Sequence, residues 1–453
     1  MKSLLIPALF TYCPPFVEMV IFSFVSQETI KGDSIPLRGE FTPPGDKSIS
    51  HRAVIIGSLA KGVTTVRGFL SCDDSLSSVK AMRMLGIQIE VQGSNVKILG
   101  KGLFELNEPE DMIDAENSGT TARLLPGLLS AQQFFSTITG DKYLRVRPME
   151  RVVKPLTLMG AKIWGREGGK RLPLAIQGTK LSGIRCELPV PSAQVKSALL
   201  LAGLYADGET EVIEPTPTRD HTERMLTHCG VYIERNSASV KIRSGEDFKG
   251  AEISVPADIS SAAFFIVAAL INPGSEILIK NVGINPDRIG AIEILRKMDG
   301  FIEIINKRAE SGEPIGDILV KASTLKATEI KGDIIPKGID ELPVIAVAAC
   351  FAEGETIIRD AKELRVKETD RIKAMTTELK KLGAEVEELD DGMVIRGKED
   401  LIGGKCSSWG DHRIAMALAV AGTRAKGTTV IEGGDCVSVS FPGFFDVMRK
   451  LRS

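Results

Sequence analysis

The sequence predicts an α/β fold (α+β in its layering) of two similar lobes, each built from three β-α-β-α-β-β units, with a cleft between them. Three observations predict it: one pattern returns about six times at a spacing of roughly 60 to 75 residues, the last copy is cut short at the C-terminus, and 453 residues require more than one core.

Each copy opens with a polar loop that runs into an alanine-rich helix. The loops are P-G-D-K-S-I-S-H-R-A (44–53), A-E-N-S-G-T-T-A-R (115–123), P-V-P-S-A-Q-V-K-S-A (189–198), P-A-D-I-S-S-A-A (256–263), I-D-E-L-P-V-I-A (339–346) and W-G-D-H-R-I-A-M (409–416). A glycine stop and a short alternating strand follow, as in A-K-G-V-T-T-V (60–66), A-D-G-E-T-E-V (206–212), A-E-G-E-T-I-I (352–358) and A-K-G-T-T-V-I (425–431). A second helix then ends near glycine and opens a hairpin, as at M-L-G-I-Q-I-E-V (84–91), L-M-G-A-K-I (158–163) and K-L-G-A-E-V-E (381–387). The final copy stops after its second helix, and a strand over 34–41 is expected to supply part of its missing edge. Residues 34–45 and 256–453 are therefore assigned to lobe one, which holds both termini, and 46–255 to lobe two.

Residues 1–33 are expected to form an extension outside the fold. The run from Leu4 to Val25 is apolar, but Pro7, Pro14, Pro15 and Glu18 interrupt it and Lys2 is its one early cation, so it reads as neither a clean signal peptide nor an anchor. Met19 is a candidate start.

Composition narrows the function. Lys and Arg number 57 against 59 Asp and Glu, and aromatics are 5%, so the basic excess and stacking surface of a nucleic-acid binder are absent and no membrane partner is expected. Seven widely spaced cysteines form no CxxC pair, which suits reduced thiols in the cytoplasm, and His221 and His228 have no third companion for a metal. No phosphate-loop, dinucleotide or nucleophile-elbow signature occurs.

Each polar loop delivers a helix N-terminus, where unpaired N–H groups and the helix dipole favour anions. One such loop reads as an ordinary N-cap. Lys47, Arg52, Arg123 and Arg413 shift the balance, because a cation at a helix start opposes the dipole unless an anion compensates. Arg147, just before Pro148, is expected to project from a strand edge. The run 362–373 reads by pattern as a solvated helix with Lys367 and Arg371 on one face.

Taken together, P-G-D-K-S-I-S-H-R (44–52), N-S-G-T-T-A-R (117–123), R-P-M (147–149), S-A-Q-V-K-S (192–197), T-R-D-H-T-E (218–223), R-V-K-E-T-D-R (365–371) and D-H-R-I-A-M (411–416) resemble the 5-enolpyruvylshikimate-3-phosphate synthase (3-phosphoshikimate 1-carboxyvinyltransferase) family, from about residue 35 to the C-terminus and in the family's order. S-A-Q and R-P-M resemble a divergent branch. The resemblance implies an inside-out α/β barrel in each lobe and an active site in the cleft. It implies transfer of the enolpyruvyl group of phosphoenolpyruvate to the 5-hydroxyl of shikimate 3-phosphate, with release of phosphate and no metal or organic cofactor. It further implies inhibition by glyphosate and a monomer.

Carried over residue by residue, the resemblance assigns Lys47, Ser48, Arg52, Ser192, Ala193, Gln194, Arg219, Asp340 and Lys367 to shikimate 3-phosphate. Lys47, Gly119, Thr120, Arg147, Gln194, Arg371 and Arg413 fall to phosphoenolpyruvate. Asp340 is expected to act as base and Glu368 as acid, with Lys47 stabilising charge. Each substrate brings a phosphate and a carboxylate, roughly −5 to −6 in all. Seven cations answer that charge, and their mutual repulsion is expected to hold the empty lobes apart. Leu124 and Val439 stand where some members have Pro and Lys. The sister activity on UDP-N-acetylglucosamine usually needs a reactive Cys in the first lobe, and none occurs between Cys72 and Cys186. A catalytically inactive metabolite-binding protein is disfavoured by the presence of Asp340, Lys367 and Glu368 together.

Overall fold

Residues 26–245 and 247–453 are described by the structure, a computed structural model. Among them the strands form six sheets, five of four strands and one of three. In the unit spanning 113–177, Ile113–Asp114 runs parallel to Phe135–Thr139 across a helix, and Phe135–Thr139 is antiparallel to Arg171–Gln177, the last strand of a hairpin. The units at 185–243 and 329–396 repeat this order.

The first helix of each unit is buried nearly all round. Every residue of Ile259–Ile271 and of Leu342–Cys350 is buried, as are twelve of the thirteen in His412–Arg424. A helix without a polar face belongs to a core, and these three pack on one another with their sheets outside. Three counterparts do the same: α1 (Lys47–Leu59), α3 (Gly119–Leu129, following α2 at Asp73–Met84) and the helix Ala193–Gly203. Small residues permit the approach, since a Cβ on Gly127 would lie 2.2 Å from the carbonyl oxygen of Ala198.

Buried apolar side chains accordingly form two clusters. One runs from Ile49 to Val255, the middle lobe; the other joins Ile30 and Leu37 to residues from Ala257 to Leu451, the terminal lobe. The chain exchanges strands as it crosses between them. Strand β2 (Arg38–Phe41), which follows β1 (Gln27–Gly32) and leads into α1, pairs in parallel with Glu276–Gly283 of the terminal lobe. Glu252–Ser254 leads into the terminal helix Ile259–Ile271 but pairs in parallel with β3 (Lys61–Arg67) of the middle lobe. The crossovers bond to each other: Asp46 N–H donates to the Pro256 carbonyl at 2.8 Å and Asp258 N–H to the Pro44 carbonyl at 2.9 Å. Gly45 is required there, because a Cβ would sit 1.8 Å from the Gly68 oxygen.

Four expectations are corrected. Residues 27–32 are not outside the fold, since β1 lies antiparallel to Gly427–Glu432; residues 1–25 lie outside the described ones. The missing edge of the last copy is therefore supplied by β1, while the strand expected over 34–41 begins at Arg38 and serves another sheet. One buried side chain, Ile30, anchors β1, too short a pattern to stand out beside the apolar run before it. Segment 362–373 is not one helix: a 3-10 turn covers Lys362–Val366, Lys367 is extended, and the helix starts only at Arg371 behind its Asp370 cap. Arg147 extends from a 3-10 turn, Leu144–Val146, rather than a strand edge.

Among the described residues no helix is long and apolar enough to cross a membrane.

Candidate active site

Capping fixes where the polar loops point. Asp46 accepts from Ile49 N–H at 2.9 Å, Ser118 from Thr121 N–H at 3.2 Å, Ser192 from Val195 N–H at 3.4 Å and Asp411 from Arg413 N–H at 2.8 Å. Each cap satisfies an N–H that the helix leaves unpaired. The caps place Lys47, Gly119 and Ala193 at the first helical position and Ser48, Thr120, Gln194 and Arg413 at the second.

In the middle lobe these side chains knit together. Lys47 Nζ donates to Asp74 at 2.8 Å, and although burial disfavours its charge, Asp74, Cys72 and Glu368 hold the ammonium above the ordinary lysine value. Arg219 donates to Ser48 Oγ at 3.0 Å. Gln194 donates to Thr120 Oγ1 at 3.1 Å and accepts from Arg123 at 2.8 Å. Arg147 donates to Asn117 at 2.7 Å, and its Nη1 would lie 3.2 Å from a Cβ on Gly119. Arg52 lies behind this layer, only 2% exposed, and donates to Thr222, Ser197 and the Ser48 carbonyl. Burial and the Arg219 charge push its pKa down to about 10.

The terminal lobe contributes the carboxylates. Asp340 is contacted by Arg219 at 2.9 Å, Lys367 at 3.2 Å and Arg371 at 3.5 Å. Glu368 is contacted by Arg371 at 2.6 Å and by Arg147, from the other lobe, at 3.4 Å. Burial would raise both carboxyls; the surrounding cations instead hold both well below the usual carboxylate range. Arg371 is anchored to Asp411 at 2.8 Å, and its Nη1 has no hydrogen-bond partner despite burial. Arg413 donates to the Asp340 carbonyl at 3.1 Å and approaches Glu341 at 3.7 Å.

The expected site residues thus gather where the two lobes meet, with Ser192 and Ala193 at the same helix start as Gln194 and with Arg52 in support. The expected repulsion among the seven cations is offset by Asp74, Asp340, Glu368, Glu341 and Asp411, and ion pairs such as Arg151–Glu363 at 2.6 Å bridge the lobes. Sequence reasoning missed Asp74, Asn117, His412 and the Arg288–Glu341 pair at 2.9 Å. His412 stands inside D-H-R-I-A-M, where burial and then the Lys47 and Arg413 charges hold its imidazole neutral. Arg123 was visible beside its cap. Its pKa is pushed down to about 10 by burial and by Arg147 and Arg151, a strained clustering of cations that an anion would relieve.

A family model described as EPSP synthase (3-phosphoshikimate 1-carboxyvinyltransferase) matches residues 32–448. The chain belongs to the EPSP synthase family. A 3-phosphoshikimate 1-carboxyvinyltransferase of Geotalea daltonii is 57% identical over 413 residues, covering 91% of this chain and 96% of the relative. One from Syntrophotalea carbinolica is 56% identical over 417 residues, covering 92% and 97%. A solved EPSP synthase structure from Acinetobacter baumannii superposes with a TM-score of 0.85 at 44% identity, covering 94% of this chain and 98% of that one. Family, fold class and enzyme class agree with the expectation from the seven motifs. Of the two positions expected to differ from some family members, Leu124 on α3 is buried in the apolar cluster of the middle lobe, and Val439 ends a 3-10 turn.

Proposed function

We propose that this chain moves the enolpyruvyl group of phosphoenolpyruvate onto the 5-hydroxyl of shikimate 3-phosphate, with Asp340 and Glu368 as the proton-transfer pair. One observation carries the reading: two ionised carboxylates lie at the lobe junction, each flanked by cations from both lobes. Shikimate 3-phosphate is assigned to Lys47, Ser48, Arg52, Ser192, Ala193, Gln194, Arg219, Asp340 and Lys367. Phosphoenolpyruvate is assigned to Lys47, Gly119, Thr120, Arg147, Gln194, Arg371 and Arg413.

In the addition step the hydroxyl oxygen attacks C2 of phosphoenolpyruvate, its proton passes to Asp340, and C3 takes a proton from Glu368. The resulting tetrahedral carbon then expels phosphate: C3 returns a proton to Glu368, the C2–O bond to phosphate breaks, and Asp340 returns its proton to the leaving group. Asp340, ionised between Arg219 and Lys367, is ready as a base. Glu368 must first gain a proton. Arg371 and Arg147, the cations that keep it ionised, are the same ones assigned to the anionic groups of phosphoenolpyruvate. Engaging them with substrate relaxes their hold and raises the Glu368 pKa, which turns the carboxylate into an acid when it is needed. Lys47, at the start of α1 and close to Glu368, faces charge developing on the transferred group.

The test is phosphate release with both substrates. The parent enzyme should release phosphate only when both are present, and Asp340→Ala and Glu368→Gln should each lose about 10²- to 10⁴-fold. Release supported by UDP-N-acetylglucosamine instead, or full activity in both variants, would overturn the assignment. The same reading carries glyphosate as an inhibitor at the phosphoenolpyruvate positions and a cytosolic monomer as the working form. The six described cysteines are all free, which suits a reducing compartment.

A further inference from the structure

Behind the helix starts that carry Lys47 and Gly119, a buried chain of polar side chains crosses three helices. His51 Nδ1 is hydrogen-bonded to Ser78 Oγ at 2.8 Å, Ser78 Oγ to Thr121 Oγ1 at 2.8 Å, and Thr121 Oγ1 to Ser118 Oγ at 2.8 Å. His51, Ser78 and Thr121 are fully buried and Ser118 is 1% exposed. Burying polar groups in an apolar lobe is unfavourable without partners; the three hydroxyls find theirs in one another, and Ser78 Oγ is the one partner of the buried His51 ring, whose Nε2 has none.

The placement is ordered. Lys47 and His51 are one turn apart on α1, Asp74 and Ser78 one turn apart on α2, so the Lys47–Asp74 contact at the helix starts and the His51–Ser78 contact one turn deeper form two successive rungs between the same helices. Thr121 extends the inner rung to α3, two residues beyond Gly119, and its own N–H donates to the Ser118 cap at 3.2 Å. We propose that His51, Ser78 and Thr121 are positioning residues, which fix the separation between the start of α1, with Lys47, and the start of α3, with Gly119 and Thr120. The inference rests on the assignment of those starts to phosphoenolpyruvate and adds what holds them in register. None of the three touches the site directly. They act through the helices, and a shift of a fraction of an ångström between two anion-binding helix ends weakens a ligand that must span both.

The chain predicts a split between substrates. Thr121→Val keeps shape and removes the hydroxyl, whereas Thr121→Ser keeps the hydroxyl and removes a methyl. With folding checked by circular dichroism and thermal melting, Thr121→Val should raise KM for phosphoenolpyruvate about tenfold. KM for shikimate 3-phosphate, none of whose assigned contacts lies on α3, should change less than about twofold. Thr121→Ser should recover the parent KM. Ser78→Ala serves as a second variant with the same expected split, should Thr121→Val fail to fold. An unchanged KM for phosphoenolpyruvate in folded Thr121→Val or Ser78→Ala, or equal damage from Thr121→Val and Thr121→Ser, overturns the inference. A parent enzyme without phosphate release would instead refute the proposed function, so the two failures are separable.

Discussion

Arg147 of the middle lobe and Glu368 of the terminal lobe meet at 3.4 Å, and the carboxylate of that contact is also gripped by Arg371 from its own lobe at 2.6 Å. The contact makes Glu368 a stand-in for substrate charge, ionised while its cations are free for it. The pH profile should show the exchange. Because kcat/KM reports the free enzyme, where the surrounding cations hold Asp340 well below the usual carboxylate range, its acid limb should lie below that range too. The kcat profile reports the complex, in which Glu368 must be protonated; activity should drop as pH rises through its raised pKa, and Glu368→Gln should abolish that basic limb. A kcat profile with the same basic limb in parent and Glu368→Gln would remove Glu368 as the acid.

Arg151 and Glu363 form a second bridge between the lobes at 2.6 Å, and neither was assigned to substrate. Arg147–Glu368 and Arg151–Glu363 already join the lobes, and substrate anions bound by cations of both lobes add to that attraction, so small-angle scattering should show a smaller radius of gyration on adding shikimate 3-phosphate. Arg151→Ala should weaken that closure by removing one interlobe pair, with KM for both substrates rising by about two- to fivefold. An identical radius with and without ligand would refute ligand-driven closure.

The motifs made much of the candidate site legible because several assigned residues sit at a fixed offset from an N-cap: Lys47 after Asp46, Gly119 after Ser118, Gln194 two after Ser192 and Arg413 two after Asp411. Capping is local, so a linear pattern records it. The strand exchange was only partly legible. Strand β2 and residues 252–254 each pair with a partner more than 180 positions away, and nothing in R-G-E-F says which sheet it joins. Asp74 and Asn117 escaped notice for the same reason, since they matter through Lys47 and Arg147, contacts made only on folding. Lys367 and Arg371 read as one helix face because spacing of four is the helical signal, whereas Asp370 caps the helix between them.

Two buried histidines predict acid lability. His51, pushed down to about 3 by burial against the weaker pull of Asp74 and with Lys47 and Arg52 adding to the fall, stays neutral in the fold. His412 does the same, under burial, Lys47, Arg413 and Arg371, with only Glu368 opposing. The unfolded imidazoles titrate near 6.5, so below that pH the unfolded chain binds more protons and stability falls. Between pH 7 and pH 5 His51 should cost about 2 kcal/mol, and His412 acts in the same direction. The window lies above the range where Asp340 and Glu368 begin to protonate. Urea unfolding at the two pH values should therefore show a smaller difference, by about 2 kcal/mol, in His51→Gln than in the parent. The same pH response in both proteins would contradict the neutral buried imidazole.

Gly119 offers the sharpest steric test. It occupies the first position of α3, and a Cβ there would lie 3.1 Å from Arg123 Nη1 and 3.2 Å from Arg147 Nη1, closer than ordinary van der Waals contact. Both neighbours are ends of long side chains, so the helix can accept alanine and the guanidinium groups can give way by a few tenths of an ångström. The fold should survive with little change in melting temperature. The site should not be unaffected, because the methyl enters the space assigned to phosphoenolpyruvate and displaces one of its cations. Gly119→Ala should raise KM for phosphoenolpyruvate by several-fold, to about tenfold, and weaken inhibition by glyphosate through the added methyl. Shikimate 3-phosphate, none of whose assigned residues lies on α3, should bind as before. Inhibition constants measured for parent and Gly119→Ala decide the matter: equal inhibition of both would mean that the methyl meets neither ligand and that the start of α3 faces something else.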